Sequence, residues 1–408
     1  MPTAHRRRIL PLSLAAPLVG VLCFGVGAGI YAAQQKTNDV QVVGHVLQPE
    51  RAELTDERLA SLELPEGWQI EVWARDVGKP RMLLIDERGR VYFSDRDAGT
   101  LSMLSDEDGD GRADGSPQLL AEREHLHGLA MRGDKFYFYT VNDVYEAPLH
   151  ENGTLGEARA IITHLPDGGQ HANRTMAFGP NGMLYLSVGS TCNACDEPNP
   201  ENATMLRADP DDGWKRTTFA TGLRNTIGFA FHPETQQLWG FDHGIDWLGD
   251  DEQKEEFNQL TEGARYGWPY VYADGNFNPA DEPREGSYQD WADASTEPTL
   301  LYTAHAAPMQ MVFLGGNVPQ DMKHDALVAM HGSWNRKPPS GHEIVRVRFD
   351  DAGQPTSIEP FVTGFVSETA DGGWERFARP CGLAQLPDGS ILMTDDYNGA
   401  IYRISQTR

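Results

Sequence analysis

Hydrophobic positions in this chain fall in short runs, with no long amphipathic stretch after about Leu64. Runs rich in Val, Ile, Tyr and Phe alternate with Gly, Asp, Asn and Pro, the pattern of strands bounded by turns. The runs also repeat. One unit reads Met82-Leu83-Leu84-Ile85, Arg88-Gly89, Val91-Tyr92-Phe93-Ser94, Gly99-Thr100-Leu101. The last reads Gly382-Leu383-Ala384-Gln385, Pro387-Asp388-Gly389, Ile391-Leu392-Met393-Thr394, Gly399-Ala400-Ile401-Tyr402. Copies also begin at Gly128, Thr175 and Gly228, and a weaker one runs from Met311 to Val347. Each unit predicts strand, turn, strand, turn, strand, which is one blade of a propeller.

Six copies predict an all-β fold, a six-bladed β-propeller over residues 64–408, with long inserts in the fourth and fifth blades. The C-terminal copy lacks an outer strand, and Trp68-Gln69-Ile70-Glu71-Val72-Trp73 is placed to supply it. Such closure removes the free sheet edges. Residues 34–63 are expected to form a polar linker.

The first 33 residues have a different character. Arg6, Arg7 and Arg8 precede an uncharged run over residues 9–33. A basic start before an apolar run is an export signature. The run is either a signal peptide, cleaved near Tyr31-Ala32-Ala33, or a membrane anchor helix. Both leave the basic end in the cytoplasm and carry the rest across, so an exported, periplasmic protein is expected, free or tethered. Cys192 and Cys195 have the spacing of a short-loop disulfide for an oxidising compartment, and Cys381 sits in an apolar strand pattern.

The formal net charge of −26 argues against a nucleic-acid partner. On so acidic a chain, one cationic pattern is notable. Just before each copy's first strand stand Lys79 and Arg81, His125 and His127, His171 and Arg174, Arg224 and Asn225, His305 and Gln310, and Arg376 and Arg379. In a propeller these positions converge at the channel mouth, and together they predict an anionic ligand on the axis.

Several strings carry a family likeness: His171-Ala172-Asn173-Arg174, Gly222-Leu223-Arg224-Asn225, Asp242-His243-Gly244-Ile245, Glu256-Phe257-Asn258, Tyr266-Gly267-Trp268-Pro269, His331-Gly332-Ser333-Trp334-Asn335-Arg336 and Arg379-Pro380-Cys381-Gly382-Leu383. In this order they resemble the pyrroloquinoline quinone (PQQ)-dependent sugar dehydrogenases. The likeness is nearest to the L-sorbosone and pyranose dehydrogenase branch, with soluble aldose dehydrogenases more distant.

The resemblance implies oxidation of a sugar or sugar-like alcohol by hydride transfer to PQQ, with His171 as the base that takes the hydroxyl proton. An imidazole suits that task because it titrates near neutral pH. Arg224 and Asn225 match the family's cofactor-binding pair, and Arg379 matches an arginine near cofactor and substrate. Arg336 stands where the soluble glucose dehydrogenases have a lysine. Arg174, His127 and His331 join the site by repeat position alone. The resemblance also implies Ca2+: the Gly244 and Ile245 carbonyls at the cofactor, although relatives have proline at Ile245, and Glu256 with Tyr266 at a second site. Asp106 to Asp114 looks like the start of an EF-hand loop, but Pro117 occupies the twelfth position, so a tight inter-strand turn is expected.

The implied partners are a small sugar and a separate electron acceptor, a membrane quinone or a periplasmic cytochrome, because the chain has no Cys-x-x-Cys-His haem motif. The insert over residues 276–298 is expected to form a polar lid. Two other readings stay open, a calcium-dependent propeller lactonase and a non-catalytic binding propeller.

Overall fold

The computed structural model describes residues 44–279 and 282–407. The expected signal or anchor segment, residues 1–33, lies outside the described residues. Among those described, no helix is long and apolar enough to cross a membrane.

Six four-stranded antiparallel sheets follow one another along the described chain. The first holds Leu83–Ile85, Val91–Asp95, Thr100–Leu104 and Gln118–Glu122, innermost strand first. The innermost strands of the next four sheets are Gly128–Arg132, Met176–Phe178, Thr226–Phe231 and Pro308–Phe313. The sixth sheet runs Pro380–Gln385, Ile391–Asp395, Ala400–Gln406, and then back to Trp68–Ala74. Innermost strands touch from sheet one to two, two to three, four to five, five to six and six to one. That of sheet four meets the second strand of sheet three, Leu184–Val188. The fold is therefore propeller-type.

Local sequence explains this packing. The second strands Val91–Asp95, Leu184–Val188, Leu238–Asp242, Ala326–Met330 and Ile391–Asp395 are buried at every position. A sheet covered on both faces needs a nearly continuous apolar run, and these strands have one. The glycine that opens several copies is required by close approach of neighbouring inner strands. A Cβ would lie 1.9 Å from the Met309 carbonyl at Gly228, 2.1 Å from the Arg81 carbonyl at Gly382 and 2.6 Å from the Arg174 carbonyl at Gly128.

Closure follows the sequence expectation. Trp68–Ala74 pairs antiparallel with Ala400–Gln406, Trp68 opposite Gln406 and Ile70 opposite Ile404. Within the stretch read as a linker, Glu50–Arg51 pairs with Glu375–Arg376 and a helix covers Asp56–Ala60. The Asp106–Asp114 string is the expected turn, with Asp106 accepting the backbone N–H groups of Gly109 and Gly111. In the long insert of the fourth sheet, a hairpin of Val271–Tyr272 and Asn276–Phe277 precedes a helix over Tyr288–Asp293.

Candidate active site

The turns that enter the innermost strands are clamped by aspartates ending the second strands. Asp242 accepts the backbone N–H of Arg224 and of Asn225, both at 2.8 Å, and the Thr226 hydroxyl at 2.7 Å. Asp395 takes the Arg379 N–H at 3.0 Å, and Asp95 takes the Lys79 N–H at 2.8 Å. One device thus aims the pre-strand side chains of three sheets. The sequence reading missed it, although Ser94-Asp95, Phe241-Asp242 and Thr394-Asp395 occupy the same place in the repeat.

His171 lies against the end of Leu184–Val188. Its Nδ1 is 2.7 Å from the Ser190 hydroxyl and 3.2 Å from the Ser190 carbonyl. A carbonyl only accepts, and the Ser190 hydroxyl donates its own proton to the Cys192 carbonyl at 2.7 Å. Nδ1 therefore carries the hydrogen, and Nε2 keeps its lone pair. Burial first, then the Arg224 guanidinium and His243, lowers the imidazole pKa to about 2, so the ring is neutral.

Arg224 is buried, and it is held rather than free. Its Nε donates to the Asn193 carbonyl at 2.9 Å, and Nη2 donates to Asn193 Oδ1 at 2.8 Å and Asp246 Oδ2 at 2.9 Å. Asp246 also accepts from Asn335 Nδ2 at 2.8 Å. Beside this group, His243 donates from Nε2 to the Pro308 carbonyl at 2.5 Å, leaving its Nδ1 3.5 Å from the Asn225 amide. Burial lowers the His243 pKa to about 4. His171, Arg224 and Asn225 are thus brought together. His243, quoted in a family string without a role, joins them.

A second group centres on Asp396. Arg81 donates to its Oδ2 at 2.5 Å, and the His331 Nε2 approaches at 3.1 Å. Arg379 Nη2 donates to His331 Nδ1 at 2.8 Å, so the His331 proton sits on Nε2 and faces Asp396. Burial alone would raise the Asp396 carboxyl, but His331, Arg81 and Arg379 outweigh it and hold the group well below the usual carboxylate range. His127 is buried nearby. Its Nδ1 donates to the Arg174 carbonyl at 2.9 Å, and burial, then Arg81, lowers its pKa to about 3.

Two predicted site residues point elsewhere. The Arg174 side chain is completely buried and donates to the Pro166 and Val141 carbonyls. Arg336 binds the Asp250 and Pro338 carbonyls and the Asp251 carboxylate. The cations are also not the open ring that the repeat suggested, because Asp246 and Asp396 pair with them. Periodicity did not reveal these two carboxylates, since both lie in loops beyond the strand ends.

Among the described residues of this region, Nε of Arg81, Nε of Arg379 and Nε2 of His127 nonetheless remain without partners. Such orphans are rare in folded proteins, and the two guanidiniums among them suit a ligand that carries carboxylates.

The expected metal residues are oxygen-rich. Gly244 N–H donates to Glu255 and Ile245 N–H to Gln253, whereas no hydrogen bond from a described residue reaches the Gly244, Ile245 or Tyr266 carbonyl. A Cβ at Gly244 would sit 2.5 Å from the Gln253 carbonyl, so glycine is required there. Glu256 accepts the Ala273 N–H at 2.6 Å, and burial, then Asp242, pushes its carboxyl up to about 8. The Tyr266 hydroxyl is used structurally, donating to the Gln259 carbonyl at 2.5 Å. Free carbonyls and buried carboxyls are the donors a hard cation takes. Cys192 and Cys195 are disulfide-bonded, and Cys381 is a buried free thiol.

Comparison with known proteins adds the lineage. The chain is 24% identical over 401 residues to a pyrroloquinoline quinone-dependent sugar dehydrogenase of Hypocrea jecorina, covering 84% of this chain and 89% of that one. It is 29% identical to a pyrroloquinoline quinone-dependent pyranose dehydrogenase of Coprinopsis cinerea over 157 residues, 34% of this chain and 21% of the relative. The holo PQQ domain of Coprinopsis cinerea pyranose dehydrogenase superposes with a TM-score of 0.72 at 19% identity, covering 88% of this chain and 98% of that one. A calcium structure of a Trichoderma reesei enzyme of carbohydrate-active family AA12 superposes at 0.71 and 22% identity, covering 88% and 99%. The family model described as TrAA12-like matches residues 62–407, and the chain belongs to that family.

Proposed function

We propose that this chain is a PQQ- and calcium-dependent dehydrogenase of sugars or sugar-derived alcohols and aldehydes, of pyranose, aldose or sorbosone type. The six sheets are read as the blades of a six-bladed propeller, with the chemistry at the ends of the inner strands. One observation carries the reading: a neutral histidine with a fixed Nδ1–H and an unprotonated Nε2, placed beside a buried arginine and asparagine. The family and its named relatives supply the redox class.

PQQ, when bound with calcium, supplies a polarised quinone that accepts a hydride. The chain's own residues do the rest. His171 Nε2 removes the proton of the substrate hydroxyl as its carbon gives up the hydride. Nδ1–H stays on Ser190, so the ring cannot turn away. Arg224, Asn225 and Arg379 hold carboxylates, with charge-assisted hydrogen bonds from the guanidiniums. The Gly244 and Ile245 carbonyls would hold the cation at the cofactor, and Glu256 with the Tyr266 carbonyl would hold a second one. Low dielectric around the buried groups strengthens each of these interactions. Electrons then leave to a separate acceptor, a membrane quinone or a periplasmic cytochrome, in keeping with an exported chain that is free or tethered by its first segment.

The test is reconstitution. Apoprotein is given PQQ, calcium or both, and dye reduction is followed over a panel of aldoses, ketoses and polyols. Activity is expected only with both additions. His171→Ala is expected to bind PQQ as the parent does and to lose roughly 10²- to 10⁴-fold in kcat. Silence across the whole panel, or full turnover in His171→Ala, defeats the reading.

A further inference from the structure

We propose that the disulfide-closed loop Cys192–Cys195 is the positioning element of this site, setting the His171 tautomer and the aim of the Arg224 guanidinium together. The inference rests on the reading of His171 and Arg224 given above, and it assigns new roles to Asn193 and to the disulfide.

Two sets of contacts leave this loop. The first goes to the base. The Cys192 carbonyl accepts the Ser190 hydroxyl hydrogen at 2.7 Å, so the Ser190 hydroxyl oxygen accepts from His171 Nδ1–H at 2.7 Å, beside the longer contact of 3.2 Å to the Ser190 carbonyl. The second goes through Asn193. Its carbonyl accepts from Arg224 Nε at 2.9 Å and from the Trp268 indole at 3.1 Å. Its side-chain oxygen accepts from Arg224 Nη2 and from the Asp246 N–H, each at 2.8 Å, and its amide donates to the Asp246 carbonyl at 3.1 Å. Asn193 therefore ties the guanidinium to the loop that carries Asp246, which follows the Gly244 and Ile245 carbonyls.

These contacts depend on backbone and side-chain atoms of two adjacent residues, inside a covalent ring with a sequence separation of 3. A free loop of that length would sample many conformations, and only a few place the Cys192 carbonyl and both Asn193 oxygens correctly. The crosslink removes most of the others. Cys192 and Cys195 are only half-buried, so a reductant can reach them. Groups that orient a first set of ligands without touching the reacting atoms commonly change affinity or activity by about 10- to 100-fold when removed.

The experiment uses the whole folded protein and two readouts that need no turnover. One is the imidazole nitrogen spectrum of His171 by 15N NMR, assigned with His171→Gln. The other is the PQQ dissociation constant, titrated optically in excess calcium. The Cys192→Ala/Cys195→Ala variant is expected to lose the pure Nδ1–H signature and to bind PQQ about 10-fold or more weakly. Asn193→Ala is expected to weaken PQQ by a similar factor while keeping the parent His171 spectrum. If the double variant does not fold, the parent reduced with a water-soluble phosphine takes its place, the disulfide becoming two thiols as the phosphine takes up oxygen from water.

A loop with a purely structural role would lower the melting temperature and leave both readouts unchanged in the folded protein; that result overturns the proposal. An Asn193→Ala variant that binds PQQ as the parent does removes the Arg224 half of it. If the parent binds no PQQ but the double variant still loses the His171 signature, the cofactor reading fails and the loop's control of the base stands.

Discussion

At the scale of single residues, the buried carboxylates decide how much positive charge the site can hold. Asp396 faces two guanidiniums and an imidazole, and its pKa in the fold is depressed by them. A depressed carboxyl contributes stability above its unfolded pKa and loses it as the pH falls toward the folded value. Asp396→Asn leaves Arg81 and Arg379 without their counter-charge in a buried setting, at a cost of about 3 kcal/mol near neutral pH. In urea melts the gap between parent and variant should narrow progressively below about pH 4, where the free carboxyl protonates. A gap that is absent at pH 7, or that widens in acid, would show that the pair is not the source.

The residue scale is also where the sequence was least informative. His171, Arg224 and Asn225 were legible because their place in the repeat and the quoted strings coincide. Asn193 was not, because it lies in a loop whose path no periodicity records, and neither was Asp396, one residue beyond the repeated aspartate. Arg336 is the opposite case. It sits in a matching string, yet its donors are bound to the Asp250–Asp251 loop and to Pro338.

Among the elements, the strand Trp68–Ala74 has the largest single task. It covers the edge of Ala400–Gln406, and Trp73 is 2% exposed in a cluster with Leu83, Phe93, Leu392 and Ile401, which joins the first sheet to the sixth. A chain that begins at Val77 should expose that edge, melt at a markedly lower temperature and aggregate. A peptide covering residues 64–76, added in trans, should restore the melting temperature. An unchanged melt in the shortened chain would mean that the strand is dispensable. This element was readable in advance, because the final repeat copy is one strand short and the missing run stands before the first copy. The inner strands were readable for a similar reason: a short apolar run, opened by glycine at Gly128, Gly228 and Gly382, at a fixed place in each unit.

Over the whole molecule, an acidic chain of net charge −26 gathers arginine and histidine at the inner ends of its sheets, and several of their donors stay unpaired. A ligand that satisfies those donors only in the folded state stabilises the fold by mass action. With PQQ and calcium each at about 100 times its dissociation constant, each adds about 2.7 kcal/mol, together about 5.4 kcal/mol, which for a fold of this size raises the melting temperature by roughly 7 °C. Scanning calorimetry should show the full rise only with both additions and a smaller one with PQQ alone. No rise with both would count against a shared site.

Pairing of the foremost strand with the hindmost also governs when this protein becomes competent. The strand at Trp68 leaves the ribosome hundreds of residues before its partner at Ala400 exists, so the sheet that the two share stays incomplete until that partner is made. A prematurely terminated product keeps an unsealed seam and lacks Arg379 and Asp396 as well. On the reading proposed above, ligand loading would wait for the sixth sheet, because Arg379 and Asp396 are made together with its strands.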